Sequence, residues 1–398
     1  MPEHVIVAGI SMIPFKKPGD SADYRTMGSA AAKAALEDAG VSYSDVKQAY
    51  AGYVYGDSTS GQAALYPVGL SGIPIVNVNN NCATGSTALF LARQVIANGV
   101  TDCVIALGFE QMSPGSLASV YKDRPDPLAD FLSTIDERFG TSDAPMALRL
   151  FGGAALDYQE RYGASDETFA MITEKARKHA GKNPHALLRA PITVEEVLAS
   201  PKMFGPLTRF QCCPPTCGAA AAILCNEEFA KKHNINGDIV IKSQAFTTDE
   251  AASFDKDDLR NTVGAGMSRK AAEQVYTDAG INPEDLDVIE LHDCFTANEL
   301  LSYESLMLTP EGTAERFIRD GNNTYGGQFV VNPSGGLLAK GHPLGATGLA
   351  QCYELTSHLR GSAGERQVER ARLALQHNIG LGGACVVTLY ENTKGHAR

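Results

Sequence analysis

One cysteine in this chain lies where a nucleophile could form. Residues 74–78 are an apolar run with β-branched side chains, residues 79–81 are three asparagines, and Cys82 follows directly. Apolar residues with helical spacing begin at Ala88, so Cys82 lies between a predicted strand and a predicted helix. Free amide N–H groups and the helix dipole favour a thiolate there, and we predict a Cys82 pKa below the usual value of about 8.5. The alternative interpretation is a small buried residue at a tight turn.

Two further segments carry residues that a cysteine nucleophile needs as partners. Residues 292–295 (His-Asp-Cys-Phe) follow a predicted strand, and residues 341–348 (Gly-His-Pro-Leu-Gly-Ala-Thr-Gly) precede a predicted helix. A histidine can take the thiol proton, and a second thiol can protonate a leaving carbanion. The glycines allow backbone N–H groups to approach a developing oxyanion closely. His292, Cys294 and His342 are therefore the candidate partners of Cys82.

Strands and helices alternate along the chain, and the pattern occurs twice. Strands are predicted over residues 5–13, 49–55, 74–78 and 102–108, and again over 238–246, 287–291, 328–331, 373–376 and 384–390. Residues 31–46 align without a gap on residues 271–286, each a helix, a glycine stop and a turn. This repeat predicts an α/β fold of two duplicated units, with parallel sheets whose loops meet at one end.

An insertion separates the two units. Residues 113–206 are rich in Pro, Asp, Arg and amphipathic helical segments, which is typical of a mostly helical cap over a cleft. We predict residues 1–112 with 207–237 as the N-terminal half and residues 238–398 as the C-terminal half. The basic cluster within residues 175–182 is interpreted as a solvated helix face in preference to an anion site.

The composition argues against several classes of protein. The 398 residues carry a net charge of −12, so nucleic acid is not an expected partner, because binding it needs a clustered positive field. Nine scattered cysteines predict no disulfide framework, and no apolar stretch approaches the roughly 18 residues of a membrane span. Cys212, Cys213 and Cys217 lack a matching Cys or His pair, so no metal is predicted. No glycine loop has a dinucleotide-binding context, so no redox cofactor is predicted.

The termini give an expectation for the cellular compartment. The first ten residues lack a basic leader, so we expect no signal peptide. Residues 395–398 do not form a Ser-Lys-Leu type peroxisomal address. The cytoplasm is therefore the expected compartment, with the peroxisome as the alternative in a eukaryote.

Three segments resemble the signature regions of the thiolase family, in the same order. They are residues 79–86 around Cys82, residues 341–348 around His342, and residues 378–383 (Asn-Ile-Gly-Leu-Gly-Gly). Residues 292–295 resemble the sterol-carrier-protein X type branch, which has His-Asp-Cys-Phe where other thiolases have an Asn-Glu-Ala-Phe type segment. The resemblance covers essentially the whole chain. It implies a thiolase-like fold of duplicated αβαβα layered halves, with residues 113–206 as an inserted, mostly helical loop domain that binds acyl-CoA.

The resemblance also implies a role for each candidate residue. Cys82 would attack the keto carbon of a 3-ketoacyl-CoA while His342 accepts its proton. Cys294 would protonate the resulting enolate and later deprotonate the CoA thiol. One oxyanion hole would consist of the His292 and His342 side chains, and the other of the N–H groups of Cys82 and Gly380.

Two residues depart from the pattern of ordinary thiolases. Asn378 stands where they have a second catalytic cysteine, so the resemblance requires Cys294 to replace that thiol. Cys217 stands where the family pattern has an aspartate before a glycine, and we predict a structural effect only.

The implied function is a 3-ketoacyl-CoA thiolase, which is an acetyl-CoA C-acyltransferase of lipid metabolism. Its substrates would come from fatty acid β-oxidation or from branched or sterol side chains. Two alternatives stay open: an acyl-CoA-binding or retro-aldolase relative that acts with a partner protein, and biosynthetic Claisen condensation. The resemblance implies CoA and acyl-CoA as substrates, no other cofactor, and a homodimer or homotetramer.

Overall fold

The computed structural model describes residues 4–115, 117 and 119–395. The strands are β1 (Val5–Met12), β2 (Gln48–Gly52), β3 (Ile75–Val78), β4 (Cys103–Glu110), β5 (Lys202–Phe204), β6 (Leu207–Thr208), β7 (Gly218–Cys225), β8 (Ile239–Thr247), β9 (Val288–Glu290), β10 (Val330–Val331), β11 (Leu373–Gly380) and β12 (Ala384–Asn392). The α-helices are α1 (Tyr24–Ala39), α2 (Ser60–Leu65), α3 (Thr84–Ala97), α4 (Ala129–Phe139), α5 (Met146–Tyr162), α6 (Asp166–Ala180), α7 (Val194–Ala199), α8 (Glu227–His233), α9 (Ala265–Ala279), α10 (Thr296–Ser305), α11 (Ala314–Arg319), α12 (Gly336–Ala339) and α13 (Leu344–Leu359).

The predicted duplication is present in the order of the strands. One half of the ten-stranded sheet runs β1-β7-β4-β2-β3, and the other runs β8-β12-β11-β9-β10. These orders are equivalent, and the halves join edge to edge through the antiparallel pair of β1 and β8. The aligned helices α1 and α9 both end at a glycine in the left-handed region, Gly40 at φ 67° and Gly280 at φ 65°. The α/β fold of two duplicated units is therefore confirmed.

The prediction of purely parallel sheets is wrong. β2 runs parallel to β3 and β4, and β9 runs parallel to β10 and β11, but the other pairings are antiparallel. In the second half, only residues 381–383 connect β11 to β12. A connection this short permits a hairpin, whereas a parallel pairing needs a crossover of a dozen or more residues.

Strand β7 was not predicted from the sequence. Four of its residues, 219–222, are alanines, whose intrinsic preference is for helix. All eight residues of β7 are buried between β1 and β4, and α1 and α13 pack against its two faces. Small side chains allow both helices to approach the sheet, so tertiary packing overrides the local preference.

Helices α3 and α13 form the central layer of the molecule. They pack against each other, and α13 contacts β4 and β7 of one half as well as β9 and β11 of the other. Helix α1 covers the first half from outside, and α9 covers the second. The layers therefore follow the order α/β/α/β/α, and the first turns of α3 and α13 lie side by side.

The inserted segment contains α4 to α7 and packs on the helices of the second half. Lys175 of α6 forms a buried ion pair with Glu299 of α10. His179, one turn later on α6, binds the carbonyl oxygen of Asn332 at 2.9 Å through Nδ1, and burial lowers its pKa to about 3. The basic cluster on α6 is thus not the solvated face that the sequence suggested, because two of its members hold α6 onto the second half.

Among the described residues, no helix combines the length and the apolar character that crossing a bilayer requires.

A buried ion pair beside α13 gives a test of the packing. Arg366 donates to both carboxylate oxygens of Glu354, at 2.6 and 3.0 Å. Burial alone would raise the pKa of Glu354, but His358 and Arg366 hold it well below its ordinary value. We expect Arg366→Leu to lower the free energy of unfolding by about 3 kcal/mol, because the buried Glu354 carboxylate loses both guanidinium bonds and keeps, among the described residues, only the His358 ring at 3.4 Å. The measurement is the urea midpoint at pH 7 and fixed protein concentration.

The matched control is Arg316→Leu, which removes an exposed ion pair with Asp320 at 3.4 Å. We expect it to change stability by less than about 0.5 kcal/mol. Equal effects of the two substitutions would show that the buried pair has no special role in holding α13.

Candidate active site

Cys82 lies on a tight loop between β3 and the first turn of α3. The preceding Asn81 has φ 50°, a left-handed conformation that asparagine tolerates well. The Asn80 N–H donates to Thr84 Oγ1 at 2.8 Å, and Asn81 Nδ2 donates to the carbonyl oxygen of Leu381 at 3.2 Å. The first bond closes the loop on its own helix, and the second ties it to the other half of the molecule. The loop that carries Cys82 is therefore held from both sides.

His342 lies just before α13, and its hydrogen bonds determine which ring nitrogen carries the proton. Its backbone N–H donates to Thr216 Oγ1 at 2.6 Å. Ring Nδ1 lies 2.7 Å from Thr347 Oγ1, whose own hydroxyl donates to the carbonyl oxygen of Pro343 at 3.0 Å. Thr347 therefore accepts from Nδ1–H, and this assignment leaves a lone pair on Nε2. Nε2 is buried and has no hydrogen-bond partner among the residues that the structure describes, so its lone pair is free to accept a proton.

His292 has the opposite arrangement. Asn378 Nδ2 donates to His292 Nδ1 at 2.9 Å, while Asn378 Oδ1 accepts from Ser86 Oγ at 2.8 Å. Gln376 Nε2 donates in turn to Ser86 Oγ at 2.7 Å. This series of hydrogen bonds places the lone pair of the His292 ring on Nδ1 and its proton on Nε2. The sequence identified Asn378 only as a missing cysteine, and the structure shows that it orients His292.

The two histidines lie next to Cys82. Their ring centroids are 5.0 Å apart at an interplanar angle of 82°. The Cys82 Sγ and one nitrogen of each ring all lie within 4.8 Å of one another. One ring offers a lone pair and the other an N–H group, so the pair can accept a proton and stabilise an oxyanion at the same place.

Cys294 is buried in the wall of the same cavity, and a second thiol lies beside it. The backbone N–H of Cys213 donates to the carbonyl oxygen of Cys294 at 2.9 Å, and the Cys213 side chain also lines the cavity. Cys213 is a site residue that sequence reasoning missed. In the sequence, Cys213 stood out only as part of the Cys212–Cys213 pair. That pair was considered as a possible metal ligand and not as part of a cavity wall.

Gly380 packs against the nucleophile loop. A Cβ atom at this position would lie 2.2 Å from the carbonyl oxygen of Asn80 and 3.0 Å from the nitrogen of Ala83. Only glycine fits here. The structure therefore brings together all the residues assigned from the sequence, and their chemical roles remain predictions.

The predicted low pKa of Cys82 is wrong for the unliganded protein. Burial raises the pKa of this thiol to about 12, and the nearby Glu110 carboxylate adds to the shift. Glu110 is itself buried, and accepts hydrogen bonds from the N–H groups of Val54, Tyr55 and Gly345 at 2.9 to 3.0 Å. Desolvation thus outweighs the helix dipole, because no cation of the described residues offsets it at Cys82.

The other groups of the site are also neutral at pH 7. Burial lowers the pKa of His342 to about 3 and that of His292 well below its ordinary value. Burial raises the pKa of Cys294 well above its usual value, and the neighbouring Cys213 and Cys82 thiols add to this shift. The resting site therefore holds thiols and neutral imidazoles, not a thiolate–imidazolium pair.

The cavity in front of these groups has a volume of about 630 Å³. Much of its wall is apolar and includes Phe151 and Phe295, whose stacked rings are 4.9 Å apart. Lys17, Arg177 and Arg209 also line it, and no described Asp or Glu does. The cavity suits a ligand with an apolar part and an anionic part.

Two family descriptions match this chain. "Thiolase, N-terminal domain" matches residues 5–186, and "Thiolase C-terminal domain-like" matches residues 247–390. The two matches include Cys82 in the first and His292, Cys294 and His342 in the second.

Individual relatives agree with the family match. The chain is 52% identical to sterol carrier protein 2 of Bos taurus over 390 residues, which are 97% of this chain and 72% of the bovine protein. It is 34% identical to an acetyl-CoA acetyltransferase of Methanothermobacter thermautotrophicus over 393 residues, 97% of this chain and 99% of that one. The solved structure titled "Ltp2-ChsH2(DUF35) aldolase" has a TM-score of 0.83 at 22% identity, with 99% of both chains covered, and shows the fold alone. The chain belongs to the thiolase family and is an acyltransferase.

Proposed function

We propose that this protein is a 3-ketoacyl-CoA thiolase that works through an acyl-cysteine on Cys82. The observation that carries the proposal is the pair of complementary histidines beside that thiol. One ring nitrogen of each histidine and Cys82 Sγ all lie within 4.8 Å of one another. The hydrogen bonds leave a lone pair on His342 Nε2 and a proton on His292 Nε2. Cleavage of a carbon–carbon bond beside a thioester needs both functions at one place.

In the first step, Cys82 Sγ adds to the keto carbon while its proton passes to His342 Nε2. The Cα–Cβ bond then breaks. The acyl group stays on Cys82 as a thioester, and the electron pair goes to the enolate of acetyl-CoA or propionyl-CoA. A thiol with a pKa of about 12 needs such a base, because it holds its own proton at pH 7.

The enolate is stabilised and then protonated. Its oxygen accepts hydrogen bonds from His292 Nε2–H and from His342, which now carries the Cys82 proton. The Cys294 thiol donates its proton to the enolate carbon, and the shorter acyl-CoA leaves. The oxygen of the acyl group on Cys82 accepts from the backbone N–H groups of Cys82 and Gly380.

Acyl transfer to CoA restores the site. The Cys294 thiolate takes the proton of the incoming CoA thiol, and the CoA sulfur attacks the thioester carbon. Cys82 leaves as a thiolate and recovers its proton from His342. The sum is one 3-ketoacyl-CoA and one CoA converted to two acyl-CoA molecules, with no other reactant consumed.

Three cations support CoA as the substrate. Lys17, Arg177 and Arg209 line the cavity, and none of them forms an ion pair with a carboxylate in the described parts of the chain. Arg177 lies on α6, so the inserted segment contributes to this surface. Phosphate groups of CoA are the natural partners of unpaired guanidinium and ammonium groups. The apolar wall then suits the acyl chain.

An aldolase is the alternative that the similarity to the Ltp2-ChsH2 structure raises. Retro-aldol cleavage forms no acyl-enzyme, so it does not need a nucleophilic thiol. The position of Cys82 between two histidines favours the thiolase. The same groups also serve the reverse Claisen condensation, since every step above is reversible.

We further propose a homodimer, formed through strand β3. This strand is an edge of the sheet, and edges are usually covered. Val76 on β3 is 39% exposed, and Tyr66 and Leu70 nearby in the chain are 52% and 80% exposed. Together they form an uncovered apolar region beside an unpaired strand.

Sedimentation equilibrium tests the dimer. We expect twice the chain mass of 42.3 kDa for the wild type and a monomer for the double variant Leu70→Glu, Val76→Lys. Val120→Lys, at a valine of the inserted segment that is more exposed than Val76, should stay dimeric. A monomeric wild type would refute the proposal.

The two thiols have separable roles in the proposed reaction. We expect Cys82→Ala to abolish thiolysis and the acyl adduct seen by mass spectrometry, because no acyl-enzyme can form. Cys294→Ala should lower kcat about 10²- to 10⁴-fold, the usual contribution of a general acid. Cys225→Ala, at a buried cysteine outside the cavity, is the control and should keep wild-type activity. CoA-dependent thiolysis by Cys82→Ala would contradict the mechanism. Cleavage of the substrate in the absence of CoA would identify an aldolase.

The protonation of Cys82 predicts how its alkylation depends on pH. Because its pKa is raised to about 12, the thiolate is the minor form throughout the neutral range. The rate of Cys82 alkylation by iodoacetamide should rise about tenfold per pH unit from pH 6 to 9 without a plateau. Peptide mapping by mass spectrometry measures the rate at this residue. A plateau below pH 8 would instead reveal a thiolate–imidazolium pair with His342.

A further inference from the structure

We propose that Cys82, His292 and His342, with Cys294 as fourth donor, form an inhibitory binding site for a thiophilic divalent ion such as Zn²⁺. The donor atoms of the first three residues all lie within 4.8 Å of one another, and all three side chains are buried. The binding part of this inference does not depend on the proposed function. It rests only on the positions and chemistry of the donor atoms.

The donor types are those that zinc prefers. Cysteine sulfur and histidine nitrogen bind Zn²⁺ at about 2.3 and 2.0 Å in tetrahedral geometry, which places the donors about 3.3 to 3.8 Å apart. Donor atoms within 4.8 Å therefore need to approach by about 1.5 Å at most. Rotation of these side chains, which line one cavity, supplies a movement of this size.

His342 is already prepared as a ligand. Its Nε2 is buried and has no hydrogen-bond partner in the described part of the chain, and His342 lines the same cavity as Cys82. Its other nitrogen donates to Thr347 Oγ1 at 2.7 Å. Metal-binding histidines almost always have their second N–H fixed in this way.

His292 needs one rearrangement before it can bind. Its Nε2 carries the proton, because Asn378 Nδ2 donates to Nδ1. Binding moves that proton to Nδ1, and the Asn378 amide must turn so that Oδ1 accepts it. The turn gives up the bond from Ser86 Oγ to Asn378 Oδ1. Asn378 therefore weakens the metal site while it keeps His292 suited to donate a hydrogen bond to an oxyanion.

Ion binding exchanges a proton for a metal–sulfur bond. The S–H bond of Cys82 breaks, its proton goes to the buffer, and the thiolate binds the ion. Cys294, which lines the same cavity, can do the same as the fourth donor. Neither sulfur is oxidised. The ion occupies the atoms that a substrate must reach, so it competes with acyl-CoA.

Cobalt(II) is the probe for the site, since it replaces Zn²⁺ in tetrahedral sites and absorbs visible light. Titration of the reduced full chain at pH 7.5 should give tetrahedral cobalt bands and a sulfur-to-cobalt charge-transfer band, both removed by Zn²⁺. Cys82→Ser and His342→Gln should each weaken binding at least tenfold. Cys225→Ser and His233→Asn, which change a thiol and an imidazole outside the cavity, should leave it unchanged. The proposal would be overturned if either control variant lost cobalt binding, or if Cys82→Ser bound cobalt as tightly as the wild type.

Position 378 provides a test in the opposite direction. Asn378→Asp supplies a carboxylate that accepts the Nδ1 proton of His292, so it should tighten cobalt binding about tenfold. Unchanged or weaker binding would remove His292 from the ligand set and overturn the proposal. Circular dichroism confirms that each variant folds.

A measurement on the wild type alone avoids any effect of substitution on folding. Zn²⁺ should slow alkylation of Cys82 by iodoacetamide at least tenfold, and a chelator should restore the rate. Alkylation at the same rate with and without Zn²⁺ would overturn the proposal, even if thiolysis itself were established.

Discussion

The site depends on one close contact, between the first turns of α3 and α13. A Cβ atom at Gly85 would lie 2.7 Å from the carbonyl oxygen of Gly345, and one at Gly348 would lie 2.1 Å from Ser86 Oγ. Larger residues would separate the helices. Because the loop of Cys82 enters α3 and the loop of His342 enters α13, this approach sets the distance between Cys82 and His342. Glu110 strengthens this helix contact by accepting hydrogen bonds from the backbone N–H of Gly345 and from that of Val54, in the loop after β2.

Burial of the site determines its chemistry in the resting state. The low polarity that raises the pKa of Cys82 also lowers the pKa of His342 and His292, so proton transfer has to accompany bond formation. Neutral imidazoles differ only in which nitrogen carries the proton. The hydrogen bond to Thr347 determines which nitrogen of His342 is protonated, and the hydrogen bond from Asn378 does so for His292. In the two proposals, the same two contacts govern proton transfer and the affinity for a metal ion.

The inserted segment is joined to the catalytic loop through buried polar contacts. Lys175 pairs with Glu299, and Asn332 Nδ2 donates to the other oxygen of Glu299 at 3.3 Å. Asn332 Oδ1 accepts from the backbone N–H of Leu291 at 2.8 Å, directly before His292. Arg177 of the same helix faces the cavity. The helix that contributes a cation to the cavity thus also supports the strand end that carries His292 and Cys294.

The sequence by itself determined the local elements, their duplication and the identity of the reactive side chains. Glycine stops such as Gly40 and Gly280 and the alternation of apolar residues act over a few neighbouring residues, so they can be read without a structure. The strand β7 could not be read, because its alanines favour a helix until two helices and two strands enclose them. Protonation states also required the structure. Desolvation depends on everything that surrounds a group, and it reversed the expectation for Cys82. The role of Asn378 in orienting His292 also depends on the tertiary structure. Its partners Ser86 and His292 are distant in the sequence and come into contact only after folding.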